Sequence, residues 1–407
     1  MKILVVAHGV GLLGGANRSL YTVLKGLKET YNVECDVLLP KKNSKFGEML
    51  KEIGISHFSV PYFGVVSSIR KDGKNFLRKA KVMYGYYIEK FWSMYLTKKL
   101  KTEKYDLVYT NTRSPIIGAL LAEKLNIPHV IHVREFCGEE PLFGKWGYDA
   151  VDQRSNRIIL ICDALRKIYE QHIPSEKLIT IHNGIDSPLN LKPTFEKVKA
   201  DDSYHIIITG RLVPAKAQLD AVKAIKKIVE EKEKRIHLHI VGSPSKHTHV
   251  DYTKKIQDYI TLNQLSSYIT FHGQVSDMVS LREKMDIELM CAVREAFGRV
   301  TVEGMRSGLL LIGANTGATP EIITDRQTGL LYEQGNVEDL KEKIKLAISD
   351  KECYKKMASN GYHHSQLNFI PEKNVQKVYH VFKDVLDSVD TKSNYPHKTG
   401  FGENEDS

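Results

Sequence analysis

The chain has 407 residues, 42% hydrophobic and 27% charged, which is an ordinary globular composition with enough apolar material for two or three domains. No stretch approaches the ~18 apolar residues of a membrane-spanning helix, and the first residues predict a buried strand and not a secretory leader. Five widely separated cysteines indicate reduced thiols in a cytoplasmic protein, and the net charge of +10 indicates an anionic partner, whether a ligand phosphate, a lipid surface or nucleic acid.

The first half of the chain alternates short apolar runs with helical segments. Apolar runs without polar alternation are typical of parallel strands that are covered on both faces. Gly14 and Gly15 follow the first run and open a helix, either as a loop that faces a phosphate or acceptor, or as a plain strand-to-helix turn. Strands are predicted at residues 2–7, 33–39, 107–110, 130–133 and 158–161.

A basic aromatic segment, residues 70–104, lies between the second and third of these strands. It contains eleven Lys/Arg, three Asp/Glu and seven aromatic residues. A helix of this kind suits an anionic membrane surface. The alternative is a solvated helix whose aromatic residues pack on the protein core.

A polar linker around residues 187–200 separates the first half from a second series of strands. Asn183, just before it, lies either in a turn or on a linker that faces a cleft. Since ligands of open α/β sheets bind beyond the carboxyl ends of the strands, the cleft between two such sheets is the predicted site. The second series is predicted at residues 205–209, 237–241, 269–272, 287–290, 309–313 and 329–332, before an amphipathic helix at 371–389 and a disordered tail at 390–407.

Two glutamates, Glu295 and Glu303, flank a Phe297-Gly298 turn that precedes a predicted helix. Gly298 lets a ligand approach the backbone closely, and the helix N-terminus offers N–H donors and partial positive charge to a diphosphate. Glu303 would then face a ribose hydroxyl, and Glu295 the hydroxyls of a sugar. The alternative is a pair of solvated surface glutamates.

Two cations, Arg211 and Lys216, follow the predicted strand at 205–209. Arginine offers a planar fork to phosphate oxygens and lysine adds a point charge, so together they would neutralise a diphosphate without a metal. The alternative is a pair of surface charges near a turn. His132, at the end of the strand at 130–133, is either a hydrogen-bond donor to a sugar or a structural histidine.

These motifs, in this order, resemble the family 4 glycosyltransferases, whose architecture of two facing Rossmann-like domains is known as GT-B. The resemblance extends over about residues 1–385 and is most specific in the second half. The segments that carry it are Gly14-Gly15, His132, Asn183-Gly184-Ile185-Asp186, Gly210-Arg211 with Lys216, Val241-Gly242, Phe271-His272-Gly273 and Glu295 with Glu303.

The resemblance implies an α/β fold with an acceptor-side domain at 1–190, a nucleotide-sugar-binding domain at 191–370, and a helix at 371–389 that crosses back to the first domain. It implies a retaining, metal-independent enzyme that moves a hexose-type sugar from a nucleotide-diphosphate sugar, UDP before GDP, to a hydroxyl of a glycan or polyprenyl-lipid-linked acceptor. Cell-envelope polysaccharide, such as capsule or lipopolysaccharide, is the commonest setting. No cofactor and no nucleic-acid partner are expected, and the enzyme would be cytoplasmic, at the inner face of the membrane.

The resemblance also implies roles for single residues. Arg211 and Lys216 match the cations that hold the donor diphosphate. Glu295 matches the residue that holds the donor-sugar hydroxyls, Glu303 the ribose-binding glutamate, and His132 the histidine near the transferred sugar. The remaining residues implied at the substrate sites are Gly14, Gly15, Asn183, Gly242, Val275 beside the nucleobase, Phe297 and Gly298 through their backbone N–H groups, Arg299 and Val300.

Two departures from the family pattern concern the site. His132 is followed by Val133 and then by Arg134 and Glu135, where the family often has an acidic residue directly after the histidine. Arg299 stands at a usually apolar position, so it would contact a phosphate or the acceptor. The alternatives are another GT-B enzyme, such as a nucleotide-sugar epimerase, and a non-catalytic sugar-binding protein; the glutamates and phosphate-binding cations favour catalysis.

Overall fold

The computed structural model describes residues 1–9, 15–64, 75–136, 148, 151–186, 193–196, 203–233, 235–244 and 250–393. Within these ranges the chain forms two parallel β-sheets, each with helices on both faces. The predicted α/β class with two Rossmann-like units is confirmed. Gly14, the predicted domain boundary at 190 and residues 394–407 lie outside the described residues, so the domain limits remain predictions.

The first sheet has seven strands in the order β3-β2-β1-β4-β5-β6-β7. All of its pairings are parallel. Its strands are β1 (Lys2–Val6), β2 (Glu34–Leu39), β3 (Ser56–Ser59), β4 (Leu107–Asn111), β5 (His129–Val133), β6 (Arg157–Leu160) and β7 (Leu178–Thr180). Its helices are α1 (Gly15–Tyr31), α2 (Lys45–Glu52), α3 (Asn75–Leu100), α4 (Ile117–Leu125) and α5 (Asp163–Tyr169).

The two faces of the first sheet are built from alternate residues of its strands. In β1, Ile3 and Val5 pack toward α1, whereas Leu4 and Val6 pack toward α3 and α4. Successive side chains of a strand point to opposite faces, so a strand buried on both sides must be apolar throughout. This is why the central strands of the sheet read as unbroken apolar runs.

The second sheet has six parallel strands in the order β10-β9-β8-β11-β12-β13. Its strands are β8 (Tyr204–Thr209), β9 (Ile236–Val241), β10 (Ile269–Gly273), β11 (Ile287–Met290), β12 (Leu310–Ala314) and β13 (Leu330–Tyr332). Its helices are α6 (Gln218–Glu230), α7 (Val250–Leu262), α8 (Met278–Arg282), α9 (Arg299–Arg306), α10 (Thr319–Ile322), α11 (Val337–Ser349) and α12 (Lys351–Asn368).

The last helix, α13 (Pro371–Ser393), crosses back onto the first sheet. Val378 and Phe382 belong to the same buried cluster as Ile3 and Val5, so the predicted crossing is confirmed. The helix ends at Ser393, beyond the predicted end at 389, so the first four residues of the predicted disordered tail are helical.

A row of histidines crosses one face of β8, β9 and β10. His205 Nδ1 lies 3.0 Å from His239 Nε2, and His239 Nδ1 lies 2.9 Å from His272 Nε2. His237 lies beside them, with its ring centroid 4.8 Å from that of His239. Partial burial, and then the neighbouring imidazoles, lower the pKa of His239 to about 3. His239 is therefore held in the neutral state, in which its ring shares hydrogen bonds with the rings of His205 and His272.

Replacing His239 by Gln should make the fold less sensitive to acid. The folded chain binds a proton at His239 more weakly than the unfolded chain does. The contribution of neutral His239 to the free energy of unfolding is therefore complete above the unfolded pKa of roughly 6.5 and is lost as the pH falls toward 3. Between pH 7 and pH 5, the wild-type Tm should fall by about 2 °C more than that of His239→Gln. The control is His363→Gln, at an exposed position; equal acid sensitivity in all three proteins would contradict the prediction.

Candidate active site

The loop after β8 and the turn before α9 meet at the carboxyl ends of the central strands of the second sheet. The backbone N–H of Val293 donates to the carbonyl of Ala215 at 3.0 Å. Lys216 Nζ forms an ion pair with Glu295 Oε2, and both side chains are half-buried. The structure thus brings together the two segments that were predicted to share one ligand.

The loop at Glu295 is held rigidly by a second turn. The Glu295 carbonyl accepts a hydrogen bond from the backbone N–H of Ala318 at 2.9 Å. Gly317 has φ +56°, and a Cβ atom there would lie 2.8 Å from Glu295 N. This close approach fixes the backbone from which the Glu295 carboxylate orients Lys216. A lysine ammonium has three N–H groups, so two remain for a ligand.

Gly298 is the N-cap residue of α9 and has the left-handed conformation, with φ +73° and ψ +60°. A Cβ there would lie 3.0 Å from Thr301 Oγ1 and 3.2 Å from Glu295 Cγ. The first N–H groups of a helix have no partner within the helix, so those of Arg299 and Val300 are donors at this end. The Phe297 ring, in contrast, is buried against Phe369, which leaves only its backbone for a ligand.

Gly242 shapes the loop that carries Arg211. Its φ is +138°, and a Cβ there would collide with the backbone of Gly210. Hydrogen bonds from Gly210 N to Val241 O, at 2.9 Å, and from Gly242 N to Gly273 O, at 2.7 Å, hold the strand ends in register. Glycine is required because two backbones touch, and the exposed Arg211 side chain then extends from the loop.

Glu303, in α9, is anchored by an arginine that the sequence analysis did not single out. Arg282 Nη1 donates to Glu303 Oε2 at 3.2 Å, and Arg282 Nε donates to Glu288 Oε2 at 3.0 Å. Glu288 is completely buried in β11. A glutamate in an otherwise apolar strand is the signal that predicts a buried cation, because a buried carboxylate is stable only when it is paired.

Arg299 links the second sheet to the first across the cleft. Its Nη1 donates to Ser19 Oγ of α1 at 3.2 Å, and its Nη2 lies 3.8 Å from Glu303 Oε1. A Cβ at Gly15 would lie 3.3 Å from Arg299 Cδ, so α1 approaches α9 closely. Burial lowers the pKa of Arg299, and Glu303 opposes that change.

His132 lies beneath the wall of the cleft and not on its surface. The side chain is completely buried, and its Nδ1 is 2.8 Å from the Tyr109 hydroxyl and 3.2 Å from Arg134 Nη2. Burial, followed by the charge of Arg134, holds the pKa of His132 well below its usual value, so the ring is neutral. His132 Nε2 has no hydrogen-bond partner among the described residues, so the donation to a sugar stays a prediction.

Arg134, two residues later, lies directly after the end of β5. Its Nε donates to Asn111 Oδ1 at 2.5 Å, and its Nη1 donates to Asn183 Oδ1 at 2.6 Å. Asn183 is therefore buried and orients Arg134. The unusual order of residues after His132 was the signal in the sequence that could have pointed to Arg134.

The remaining predicted residues flank this arrangement. Val300 is half-buried in the first turn of α9, and Val275 packs at the edge of the cluster that contains Phe297. Among the described residues, no group of His, Cys, Asp and Glu side chains is arranged to hold a metal ion. None of the described helices combines the length and apolar character that crossing a bilayer requires.

Two family models match the chain in tandem. Residues 13–187 match the model described as Glycosyltransferase Family 4, and residues 192–364 match Glycosyl transferases group 1. Together they cover the second sheet, every strand of the first sheet except β1, and every segment of the site described above.

Two proteins of similar sequence are named as glycosyltransferases. An uncharacterized glycosyltransferase of Methanocaldococcus jannaschii is 27% identical, over 71% of this chain and 78% of its own. The UDP-Gal:alpha-D-GlcNAc-diphosphoundecaprenol alpha-1,3-galactosyltransferase of Escherichia coli is 23% identical, over 72% of this chain and 78% of its own.

A solved structure gives the same fold. The crystal structure of Anabaena HepE in complex with UDP matches with a TM-score of 0.76 and 20% identity, over 94% of this chain and 100% of that one. A likeness at this identity shows the GT-B architecture alone. With the tandem family matches, it establishes that this chain is an enzyme of the family 4 (group 1) glycosyltransferases.

Proposed function

We propose that the protein is a retaining, metal-independent hexosyltransferase that uses a nucleotide-diphosphate sugar, UDP before GDP, and a hydroxyl of a glycan or lipid-linked acceptor. The observation that carries the proposal is the meeting of Lys216, Glu295 and the N-terminus of α9 at one point of the cleft. The UDP bound to HepE, and the UDP-Gal and diphosphoundecaprenol in the name of the E. coli relative, support these substrate classes. Cell-envelope polysaccharide biosynthesis is the proposed setting.

In this proposal the donor diphosphate lies between Lys216, Arg211 and the first N–H groups of α9. Lys216 and the N–H groups of α9 are fixed before the ligand arrives, because Lys216 is held by Glu295 and the turn at Gly298 by its own backbone. Preorganised donors of this kind stabilise charge that develops in the transition state, each by about 3 kcal/mol. No metal is needed where two cations and a helix N-terminus face the same diphosphate.

The rest of the donor follows from the neighbouring residues. Glu303 would accept from the ribose hydroxyls, and its anchor Arg282 keeps one carboxylate oxygen in place. Glu295 would accept from hydroxyls of the donor sugar, and Val275 would flank the nucleobase. The donor thus belongs to the second domain, proposed at 191–370, and the acceptor to the first, proposed at 1–190.

The proposed transfer keeps the configuration at the anomeric carbon. The bond from that carbon to the diphosphate oxygen breaks while the acceptor oxygen forms a bond on the same face, and the acceptor's proton passes to the leaving phosphate. The task of this chain is to hold the phosphate, through Lys216 and Arg211, as its negative charge grows. No protein nucleophile takes part in this scheme.

Replacing Lys216 by Ala should lower kcat/KM about a hundredfold, because a lost contact to the leaving diphosphate costs about 3 kcal/mol of transition-state stabilisation. The measurement is release of labelled sugar from UDP-hexoses, with thermal unfolding as a check that the fold persists. The matched control is Lys227→Ala, which removes an exposed lysine that is paired with Glu338. Wild-type activity in Lys216→Ala would remove the central role of this residue.

UDP should raise the Tm of the protein by several degrees, and GDP by less. A ligand that binds only the folded state stabilises it by about 2.7 kcal/mol at one hundred times its Kd. Differential scanning fluorimetry with UDP, GDP, UMP and uridine measures this directly. Uridine as effective as UDP would show that the diphosphate contacts do not contribute, and a larger shift with GDP would reverse the proposed choice of base.

We further propose that α3 docks on an anionic membrane surface, as its basic aromatic segment predicts. Large apolar side chains are exposed along one side of the helix, of which Phe76 is 81% exposed. Leu96 and Leu100 pack on the sheet from the opposite side of the helix. Trp92 is half-buried against the same cluster, which fits the core-packing alternative. The exposed apolar residues of α3 are Phe76, Leu77, Met83, Tyr84, Tyr87, Phe91, Met94 and Tyr95.

A buried glutamate fixes which side of α3 faces outward. Glu89 Oε2 accepts from the backbone N–H groups of Ile116 and Ile117 at the start of α4, at 2.7 and 2.8 Å. Burial raises the pKa of Glu89 to about 8, against the lowering effect of these hydrogen bonds. With Glu89 held inward, the lysines and aromatic residues of the other side face outward together, which supports a peripheral position at the inner face of the cell membrane.

Reversing the charge of α3 at three exposed positions, Lys79, Lys90 and Lys98, should weaken binding to anionic vesicles at least about a hundredfold, since each lysine near the surface contributes about 1 kcal/mol. The readout is flotation with phosphatidylcholine vesicles that contain or lack phosphatidylglycerol. The control carries the same three Lys→Glu changes on exposed α12 positions: Lys351, Lys355 and Lys356. Equal flotation of both variants would contradict docking through α3.

A further inference from the structure

Arg134 is a buried cation without a bonded carboxylate in the described part of the chain. The residue is 5% exposed, and its guanidinium donates to Asn111, Asn183, the Tyr109 hydroxyl and His132 Nδ1, all of them neutral. These four contacts use at most four of the five guanidinium N–H groups, so at least one N–H remains available to a ligand.

The carboxylate next in sequence does not form a bond to this guanidinium. Glu135 accepts hydrogen bonds from the backbone N–H groups of Arg113 and Arg134, and its charge acts on both guanidinium groups from there. Taking an arginine out of water is costly unless its charge is compensated. The charge of Glu135 offsets part of this cost, and an anion from outside the chain that bonds the Arg134 guanidinium directly would offset more of it.

The position of Arg134 places that charge in the cleft. It follows β5, next to the end of β4, and ligands of parallel sheets bind at the carboxyl ends of the strands. Across the cleft, burial lowers the pKa of Arg299, as do the charges of Arg18 and Arg134, whereas the charges of Glu303 and Asp186 raise it. Three guanidinium groups, from the residue after β5, from α1 and from α9, thus act on one region.

The two carboxylates that act on Arg299 also have hydrogen-bond partners of their own. Glu303 accepts from Arg282 at 3.2 Å, and Asp186 Oδ2 accepts from the Thr22 hydroxyl at 2.9 Å. The donor diphosphate is assigned to Lys216 and the N-terminus of α9, whereas the Arg299 side chain extends from there to Ser19 of the first sheet's α1. The arginines consequently face the acceptor side of the cleft.

We propose that the acceptor of this enzyme carries an anionic group, a phosphate monoester or a carboxylate, and that Arg134 binds this group with Arg18 and Arg299. Arginine matches both anions because its planar fork donates two parallel hydrogen bonds. Asn111 and Asn183 hold the fork in place before the acceptor arrives. The inference rests on the proposed function, since it concerns the second substrate of the same cleft.

The test uses the full chain saturated with UDP, so that the diphosphate site is occupied. Three compounds of the same carbon skeleton are titrated by calorimetry: glycerol, sn-glycerol 3-phosphate and glycerate. We expect one of the two anions to bind at a single site and glycerol not to bind. Binding should weaken at least tenfold in Arg134→Gln, and also in Arg18→Gln, whose exposed position tests the proposal should the buried variant fail to fold.

The control is Arg326→Gln, which removes an exposed arginine that has no part in the proposed site. This variant should bind both UDP and the anion as the wild type does. The proposal is overturned if the UDP-saturated wild type binds neither anion, or if Arg134→Gln and Arg18→Gln bind it normally. It is also overturned if both variants lose UDP affinity tenfold, since the arginines would then serve the donor. Failure of the donor proposal is distinguishable from failure of this one, because the wild type would then not bind UDP at all. The anion titration without UDP would in that case still test the role of Arg134.

Discussion

The ion pair between Lys216 and Glu295 is the contact on which the geometry of the site depends. The two residues are 79 positions apart and belong to loops after different strands of the second sheet. Each loop is shaped by a glycine that no other residue could replace without strain, Gly242 behind the first and Gly317 behind the second. Because these backbones touch, the charges that face the cleft are set by the sheet itself and do not have to be ordered by the ligand.

A second set of charges supports the first from below. Arg282 connects the buried Glu288 of β11 to Glu303 of α9, so the helix whose N-terminus is the proposed diphosphate site is tied to the strand beneath it. On the other side of the cleft, Arg134 is held by amides and hydroxyls. Lys216 and Arg282 are thus bonded to carboxylates, whereas the Arg134 guanidinium is bonded to neutral groups.

The sequence was sufficient for the fold and for the local motifs of the second sheet. Apolar strands that are buried on both faces are recognisable from the sequence alone, and the central strands of both sheets were predicted within a few residues. The short edge strands β3 and β7 were missed because half-exposed Ser and Thr carry no such signal. Arg134 was missed because its position depends on hydrogen bonds to Asn111 and Asn183, and Arg282 was missed because its partners lie on other elements.

The return of α13 to the first sheet means that the polypeptide passes between the two halves twice. These passages lie side by side: Ile185 N donates to Phe369 O at 2.8 Å, Asn374 Nδ2 donates to His182 O at 2.6 Å, and a Cβ at Gly184 would touch the Pro371 backbone. Two adjacent crossings tie the halves together at one edge, where the Glu321 carboxylate also accepts hydrogen bonds from the backbone N–H groups of Asp163 and Ala164. Any opening of the cleft would therefore be a rotation about this tied edge, and it would change the separation between Arg299 and Arg134.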